Sequence, residues 1–389
     1  MIKKVITSER LPIKMWLDDI EDGALEQAKN LANLPFAFKH VAVMPDSHQG
    51  EGMPIGGVLA AKGAIIPNAV GVDIGCGMCA MKTSLQEIGK EHLRQIVERI
   101  KELVPVGFEW HEEPQDESLM PEGKSQENMP IVRQEYEKAR HQVGTLGGGN
   151  HFIEIQKGSD GYIWIMTHSG SRNIGKKVAD HYNKIAVAFN KRWFSQVPKD
   201  WQLAFLPLDT SEAKQYRNEM EYCVNFALAN RQMMMDNIKR AFGEVLHEIR
   251  YEPMINIAHN YAAMENHFKH NVMVHRKGAT QAREGQGGIV PGSQGTKSYI
   301  VRGKGNRESF MSCSHGAGRK LGRRQAIQEL KLEEEQALMN AKGIIHSIIE
   351  QKDLDEAPSA YKNIDVVMEN QSDLVEIVVE LEPLAVIKG

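Results

Sequence analysis

The distribution of glycine constrains this chain more than any other feature of its sequence. The 34 glycines are concentrated in short segments that also hold histidine, aspartate, cysteine, serine or asparagine. Because glycine lacks a Cβ atom, such segments can follow tight paths and bring polar side chains close together. Several of them follow or precede short apolar stretches, which places them at strand ends. The pattern predicts a fold in which several loops converge on one cleft.

Short apolar, β-branched stretches alternate with helical ones along the chain. They predict buried strands at 41–44, 162–167, 254–258, 272–275 and 298–301. The tail LVEIVVELEPLAVIK predicts two more strands, separated near Pro383. Apolar residues at helical spacing predict helices at 86–104, 127–141, 173–193, 211–248 and about 320–350. We interpret 211–248 as a peripheral helical excursion and the polar segment 111–130 as a mobile surface loop.

One group of glycine-rich segments carries candidate metal ligands. Asp73 and Cys76 lie three residues apart in VGVDIGCGM, a spacing that suits a divalent transition metal. His151, His168 and His259 lie beside glycines or at predicted strand ends. These five ligands exceed the needs of one closed tetrahedral site and fit two metals that share the Cys76 thiolate. Ligand softness alone would favour zinc.

Other interpretations of these residues remain open at this point. Each histidine taken alone could be a hydrogen-bonded loop or core residue. Cys76 and Cys79 form a C-x-x-C pair, which could be half of a structural zinc site, although no second pair follows. The joint pattern of one aspartate, one cysteine and three histidines favours a metal centre over these alternatives.

A second group of glycine-rich segments indicates nucleotide chemistry. PGSQGTKS at 291–298 and SHGAGRKLGRR at 314–324 would let backbone N–H groups approach phosphate oxygens. His315 is the candidate nucleophile, because an imidazole with a pKa of about 6.5 is largely neutral near pH 7 and can attack phosphorus. Asp46 is the candidate for orienting its ring. The alternative is a loop histidine that only hydrogen-bonds phosphate.

Charge and cysteine content limit the class of protein. A formal net charge of −4 excludes binding of nucleic acid through overall basicity but permits a local basic groove. The basic residues of 319–324 follow the nucleophile segment and predict such a groove, whereas we interpret Lys176 and Lys177 as part of a solvated face. Four cysteines, no signal peptide and no transmembrane run predict a cytoplasmic protein without a membrane partner.

Eight motifs of this chain resemble those of the RtcB-type RNA ligases and occur in the same order. They are MPDSHQGEG, VGVDIGCGM, GTLGGGNHFIE, HSGSR, VHRKGA, PGSQGTKS, SHGAGR and the final VIKG. Several are long and of unusual composition, and the resemblance extends from the N-terminal segment to the last residue. It implies a single compact α+β domain of RtcB type over 1–389, with mixed β-sheets flanked by helices.

The resemblance also implies roles for individual residues. Two manganese ions would be bound, one by Asp73, Cys76 and His151, the other by Cys76, His168 and His259. His315 would carry the guanylyl group and Asp46 would orient it. The residues implied in binding the guanylate are Asn150, His151, Phe152, Ile153, Glu154, His259, Asn260, Pro291, Gly292, Ser293, Gln294, Ser298, His315, Gly316, Ala317, Gly318, Tyr361 and Lys388.

The activity that the resemblance implies is a GTP- and manganese-dependent joining of RNA ends. A 2′,3′-cyclic phosphate or 3′-phosphate end would be joined to a 5′-hydroxyl end through a histidine–GMP intermediate, in RNA repair or splicing. An activating protein is left open as a further partner. The alternatives are a metal-dependent phosphodiesterase that opens cyclic phosphate ends, and a non-catalytic paralogue that binds RNA ends or nucleotides.

Some positions depart from the family pattern. Asn173 stands where the family usually has glycine, and Gln294 stands where methionine is usual. The segment DSHQGEG also differs from the commoner DVHLG form. None of these departures removes a candidate metal ligand or the candidate nucleophile, so we interpret the chain as a divergent bacterial-type paralogue.

Overall fold

The structure is a computed structural model that describes residues 1–122 and 128–389. Its strands are β1 (Lys4–Ile6), β2 (Ile13–Met15), β3 (Ala37–His48), β4 (Ile55–Ala61), β5 (Ala64–Ile65), β6 (Gly77–Lys82), β7 (Phe152–Gly158), β8 (Ile163–Ser169), β9 (Leu206–Pro207), β10 (Ile255–Ala258), β11 (Asn260–His267), β12 (His270–Lys277), β13 (Ala279–Gln281), β14 (Gly287–Val290), β15 (Ser298–Gly303), β16 (Ser312–Ser314) and β17 (Val375–Lys388). Its α-helices are α1 (Asp22–Ala32), α2 (Lys90–Leu103), α3 (Pro130–Gln142), α4 (Arg172–Arg192), α5 (Ser211–Val245), α6 (Arg323–Glu329), α7 (Leu332–Ala341) and α8 (Ile364–Asn370).

Two sheets form the frame of the molecule. The larger has seven strands in the order β10-β6-β8-β7-β17-β15-β14, and all neighbours in it are antiparallel. The smaller has six strands in the order β1-β2-β3-β4-β12-β11, and of its strand pairs β2 and β3 are the parallel one. Both sheets are accompanied by helices, which confirms the predicted α+β class; the six-stranded sheet is mixed, as predicted, whereas the seven-stranded sheet is antiparallel throughout.

Helices cover one face of the seven-stranded sheet because their apolar stripes are buried there. The stripe of α2 consists of Leu93, Ile96, Val97 and Ile100, at the spacing of one helix face, and packs against apolar side chains of β7 and β8. The second half of α5 joins the same cluster. The first half of α5 packs in another cluster, with α3 and α4. Buried residues therefore occur along the whole length of α5, which is a central helix of the core.

The predicted strands and most predicted helices are confirmed. The strands predicted at 41–44, 162–167, 254–258, 272–275 and 298–301 lie in or overlap β3, β8, β10, β12 and β15. The helices predicted at 86–104, 127–141, 173–193 and 211–248 correspond to α2, α3, α4 and α5. These stretches have strong periodicity, which is the most reliable local signal in a sequence.

Two predictions near the C-terminus are wrong. The tail is one strand, β17, because an irregularity between Pro383 and Ala385 absorbs the missing proline N–H and pairing with β7 resumes beyond it. The region 320–350 contains two short helices, because Leu330 and Lys331 have extended conformations. Three glutamates in the first turn of α7 favour a new helix start, and Gly343, with φ +68°, follows its end.

The predicted loop 111–130 is only partly described. Its described residues include a short 3₁₀ turn at Glu117–Leu119, and α3 begins at Pro130. Residues 123–127 lie outside the described part of the chain, and so does that part of the predicted mobile loop. Among the helices that are described, none combines the length and the apolar character needed to cross a bilayer.

Candidate active site

The candidate metal ligands meet at one edge of the seven-stranded sheet. Cys76 precedes β6, His151 precedes β7, His168 is the penultimate residue of β8, and His259 follows β10. Because neighbouring strands are antiparallel, the start of β6 and β7 lies beside the end of β8 and β10. The strand order thus collects side chains that are far apart in sequence.

The ligand atoms form two overlapping groups that share Cys76. The Cys76 Sγ atom is 3.2 Å from His168 Nε2 and 3.5 Å from His151 Nε2. His168 Nε2 is 3.4 Å from His259 Nε2, and His151 Nε2 is 3.2 Å from an Asp73 carboxylate oxygen. In each group, Asp73–Cys76–His151 or Cys76–His168–His259, the candidate ligand atoms lie within 4.8 Å of one another.

Hydrogen bonds on the far side of two rings fix which nitrogen faces the centre. His151 Nδ1–H donates to the Leu146 carbonyl and His168 Nδ1–H to the Asn150 carbonyl, both at 3.0 Å. A carbonyl can only accept, so each neutral ring presents the lone pair of Nε2 to the cluster. Burial lowers the pKa of His168 well below its usual value, which keeps this ring neutral.

The protonation of the cluster indicates that it suits a cation. Burial lowers the pKa of His259 well below its usual value and raises that of the Cys76 thiol well above its own. The geometry is the stronger indication, because imidazole, thiol and carboxylate donors that lie within 4.8 Å of one another in each group are typical of a transition-metal site. The donor set therefore fits divalent metal, and the number of ions stays a prediction.

Buried polar residues of α5 support the loops behind the cluster. Arg231 donates to the backbone carbonyls of Gly75 and Ser169, at 3.1 and 2.8 Å, and so connects the approach to β6 with the end of β8. Asn230 accepts from the backbone N–H groups of Gly144 and Thr145 in the segment that leads to His151. At Gly170 an added Cβ would lie 2.3 Å from the Asp73 carboxylate, so only glycine fits there.

His315 and Asp46 form a tightly hydrogen-bonded pair. His315 Nδ1 is 2.6 Å from an Asp46 carboxylate oxygen, which also accepts from the His315 backbone N–H at 3.1 Å. Burial would raise the pKa of Asp46, but His315, His48 and Lys362 together lower it on balance, so the group is a carboxylate. A carboxylate accepts, so Nδ1 is a donor, and in the neutral form of the ring the lone pair is on Nε2.

The His315 pair lies directly beside the metal ligands. The His315 and His259 rings are 4.7 Å apart between centroids and nearly perpendicular. The loop that carries His315 packs closely on β3: at Gly318, which has φ +75°, an added Cβ would lie 2.1 Å from the Asp46 carbonyl oxygen. The candidate nucleophile and the candidate metal ligands are thus neighbours, although Asp46 belongs to the six-stranded sheet and the metal ligands lie at the edge of the seven-stranded one.

A cavity of about 200 Å³ opens over His315 and His168. Most of the predicted guanylate-binding residues line it, namely Asn150, Phe152, Glu154, Pro291, Gly292, Ser293, Gln294, His315, Gly316, Ala317, Gly318, Tyr361 and Lys388. The segments predicted from glycine clusters at 291–294 and 315–318 therefore line the same cavity.

Five residues predicted for the guanylate are not in the cavity wall. His151 and His259 belong to the metal-ligand groups. Ile153 is buried in the apolar cluster on the helix-covered face of the sheet. Asn260 donates to the Asp73 carbonyl and accepts from Gly278 N–H, and Ser298 Oγ accepts from Gly292 N–H. Asn260 and Ser298 therefore position the loops of the site.

Glu356 is a cavity residue that the sequence did not reveal. Its carboxylate accepts from the Tyr361 hydroxyl and from Arg319, and it lies 2.5 Å from Arg323 and 3.5 Å from Lys388. Burial would raise its pKa, but Lys388, Arg323 and Arg319 lower it, so Glu356 is ionised. The available signal was a carboxylate five residues before Tyr361, which is too common to single out.

The cavity end near Lys388 contains buried groups with shifted pKa values. Burial raises the pKa of Glu154 to about 8 and lowers that of Lys388.

His48, from the divergent DSHQGEG segment, also lines the wall. The two other departures from the family pattern have hydrogen bonds of their own: Gln294 donates to the Glu356 carbonyl, and Asn173 donates to buried Glu135.

Comparison with known proteins identifies the family. A family model described as tRNA-splicing ligase RtcB matches residues 27–389. The RNA-splicing ligase RtcB of Escherichia coli K12 is 39% identical over 415 residues, covering 99% of each chain. The tRNA-splicing ligase RtcB of Thermococcus kodakarensis is 32% identical over 459 residues, covering 98% of this chain and 95% of the relative. The chain belongs to the RtcB family, which confirms the resemblance noted in its sequence.

Proposed function

We propose that the chain is a GTP- and manganese-dependent RNA ligase that works through a histidine–GMP intermediate. It joins 2′,3′-cyclic phosphate or 3′-phosphate ends of RNA to 5′-hydroxyl ends. The observation that carries the proposal is His315, which lies in the cavity wall with Nδ1 held by Asp46 and its ring 4.7 Å from that of His259. The names of the relatives, which are RNA-splicing and tRNA-splicing ligases, support this activity.

Two manganese ions would be held by the two ligand groups. Asp73, Cys76 and His151 would bind one ion, and Cys76, His168 and His259 the other, with the Cys76 thiolate shared. When bound, the ions supply positive charge for phosphate oxygens during nucleotidyl transfer. Donor softness alone would favour zinc, so the choice of manganese rests on the family resemblance.

The nucleotide would occupy the cavity with its phosphates near His315. The glycines of 315–318 and 291–294 leave backbone N–H groups accessible to phosphate oxygens. Glu154, Tyr361 and Lys388 also line the cavity and would offer polar groups for guanine. Ionised Glu356, which contacts both Tyr361 and Lys388, would hold these two side chains in position.

The reaction would proceed in four steps. First, water opens a cyclic phosphate end to a 3′-phosphate. His315 Nε2 attacks the α-phosphorus of GTP, so a P–N bond forms and pyrophosphate leaves; the Nδ1 proton stays on the ring, and the Asp46 carboxylate offsets the resulting positive charge. The RNA 3′-phosphate then takes the guanylyl group from His315, a 5′-hydroxyl attacks that phosphate, and GMP leaves.

Two further proposals concern the extent of the catalytic domain and the compartment in which the protein works. Residues from 46 to 388 take part, so we propose that 1–389 acts as one catalytic domain. The four cysteines are buried and unpaired in the described structure, which is compatible with the reducing cytoplasm where we propose that the protein works.

Incubation with α-labelled GTP and manganese tests the proposal. We expect one acid-labile, base-stable adduct of GMP, mapping to His315, and joining of RNA bearing a 3′-phosphate to RNA bearing a 5′-hydroxyl. The variant His315→Ala should show neither. Opening of cyclic phosphate ends without any adduct would favour a phosphodiesterase, and RNA or nucleotide binding without either reaction would favour a non-catalytic paralogue.

A further inference from the structure

Helix α4 concentrates positive charge that the proposed chemistry does not use. Its 21 residues include six lysines and arginines and one acid, Asp180, whereas the whole chain has 47 basic and 51 acidic residues. Lys177, Lys184 and Lys191 are all exposed. They are seven residues apart, a spacing that places them on one face of an α-helix. We call these three residues the α4 stripe.

The α4 stripe is free to meet an external partner. The opposite face of α4 is buried with α3 and α5 through residues such as Val178, Tyr182 and Ala186. Asp180 pairs with Lys176 at 2.6 Å. Within the described parts of the chain, the three lysines of the stripe form no ion pair. Three unpaired cations in a row would repel one another, so their arrangement favours a polyanion as the occupant.

The helix begins beside the metal ligands. Arg172, its first residue, donates to Thr145 Oγ1 at 2.9 Å and to the Gly107 carbonyl at 3.0 Å. An added Cβ at Gly147 would lie 1.9 Å from the Arg172 guanidinium and 2.7 Å from His151 Nδ1, so both side chains border this glycine. From there α4 extends for about 30 Å, given a rise of 1.5 Å per residue.

Two exposed aromatic side chains follow the last turn of α4. Phe194 is 91% exposed and has φ +52°, a left-handed conformation that is unusual for a bulky residue. Trp193 is 44% exposed, and its ring is 4.9 Å from that of Phe189. An unpaired nucleobase can stack on such rings, and a basic track combined with aromatic rings is characteristic of sites for single-stranded nucleic acid.

We propose that α4 binds a single-stranded segment of the substrate RNA and guides its end to the metal cluster. The α4 stripe contacts phosphates spaced along the strand, and Trp193 and Phe194 stack on a base at the far end of the helix. This proposal rests on the proposed RNA-ligase function for the identity of the polyanion. The site would let the enzyme prefer ends that carry an unpaired segment over blunt duplex ends.

Binding of a fluorescent single-stranded RNA with a 3′-phosphate, measured by polarisation at several salt concentrations, tests the stripe. We expect the triple variant Lys177→Gln, Lys184→Gln, Lys191→Gln to bind at least about tenfold more weakly at low salt. The plot of the logarithm of the binding constant against the logarithm of salt concentration should become less steep by about 2. Each of the three lost phosphate contacts accounts for roughly 0.7 of that change. The matched control replaces exposed Lys3, Lys90 and Lys101 by Gln, which changes the net charge equally and should leave affinity and slope close to those of the unchanged protein.

A second pair of variants tests the aromatic end. Trp193→Ala with Phe194→Ala should weaken RNA binding about tenfold with little change in the salt slope, because stacking releases no counterions. The control is Phe108→Ala with Trp110→Ala, since these aromatics are 101% and 44% exposed in a loop with Glu109, Glu112 and Glu113. An equal loss from both pairs would refute the assignment of the RNA end to α4.

Labelling by GTP distinguishes a failure of this inference from a failure of the proposed function. Formation of the His315 adduct needs no RNA, so it should proceed in the α4 variants and reports that they are folded. If the adduct forms but the α4 stripe variant and its lysine control bind RNA equally, the inference fails alone and an acidic protein becomes the candidate occupant. If the unchanged protein forms no adduct and joins no RNA, the proposed function fails, whatever the RNA affinities are.

Discussion

At the scale of single residues, the site depends on the placement of a few protons. The Asp46 carboxylate fixes the proton of His315 on Nδ1, and backbone carbonyls fix those of His151 and His168 on Nδ1 as well. In the neutral form of all three rings the lone pair is therefore on Nε2. Under the proposed function, the first ring would attack phosphorus and the other two would bind metal, so the same tautomer would serve two kinds of chemistry.

Replacement of the buried carboxylate should slow guanylylation more than it weakens GTP binding. Asp46→Asn removes the negative charge that offsets the cationic ring formed when His315 is guanylylated. We expect the rate of adduct formation to fall by about 100-fold or more, with the dissociation constant for GTP changed only slightly. Single-turnover labelling across a range of GTP concentrations measures both. A fall in affinity alone would show that Asp46 shapes the pocket and does not assist the attack.

The shared ligand should be indispensable. Cys76→Ala removes a donor from both candidate metal positions, so we expect both guanylylation and RNA joining to be abolished. Cys79→Ala is the matched control, because Cys79 is equally buried but contacts Thr167 Oγ1 at 2.9 Å, away from the cluster. Appreciable label transfer in the Cys76 variant would refute the bridging role, as would equal loss in both variants.

At the scale of elements, the sequence predicted those strands and turns whose residues follow a local periodic pattern. Strands and glycine segments around Cys76, His151, His168 and His259 follow from apolar runs that end in glycine-rich turns. The break between α6 and α7 and the role of Glu356 depend on contacts between distant segments, for which a single sequence carries no periodic signal. Ile153 is a different case, because strand alternation, which is a local signal, turns its side chain to the face opposite Phe152 and Glu154.

The hairpin β11–β12 contains a buried ion pair that should make stability depend on pH. Glu265 is 2.5 Å from Arg276 and 2.9 Å from His267, and both side chains of the Glu265–Arg276 pair are almost fully buried. Burial would raise the pKa of Glu265, but Arg276 and His267 lower it to about 2. A lowered pKa in the folded state means that the pair stabilises the protein above pH about 4.5 and that this contribution is lost as the pH falls toward about 2.

We therefore expect Glu265→Gln to lower the free energy of unfolding by about 3–5 kcal/mol at pH 7, because Arg276 would remain buried without its partner. The difference from the unchanged protein should shrink as the pH falls from 5 to 3. Urea unfolding at several pH values measures it. The control Glu244→Gln removes an exposed partner of Arg99, and we expect it to have a much smaller effect. A difference that does not vary with pH would contradict the assigned ionisation.

At the scale of the whole molecule, the candidate metal cluster connects strands that are distant in sequence. Its ligands lie beside β10, β6, β8 and β7 and extend from residue 73 to residue 259. The nucleophile comes from the loop after β16, and Lys388 comes from the end of β17. Metal binding should therefore stabilise the entire fold, since all of these segments must be in place at once.

Metal addition should raise the thermal midpoint of unfolding. A ligand that binds only the folded state stabilises it by about 2.7 kcal/mol when present at 100 times its dissociation constant. We expect manganese to raise the midpoint of chelator-treated protein by several degrees, and a chelator to reverse the rise. Cys76→Ala should show little response, whereas Cys79→Ala should respond fully. A midpoint insensitive to metal in the unchanged protein would argue against a structural link between the cluster and the sheet.

The position of β17 has a consequence for how the protein is made. β17 lies between β7 and β15, yet it follows all other strands of that sheet along the chain. During synthesis on the ribosome, the two halves of the sheet emerge first and expose unpaired edges until residues 375–388 have left the exit tunnel. The cavity beside His315 includes Lys388 in its wall, so it can be complete only when translation has passed that residue. We therefore expect a partly synthesised chain to be inactive on RNA.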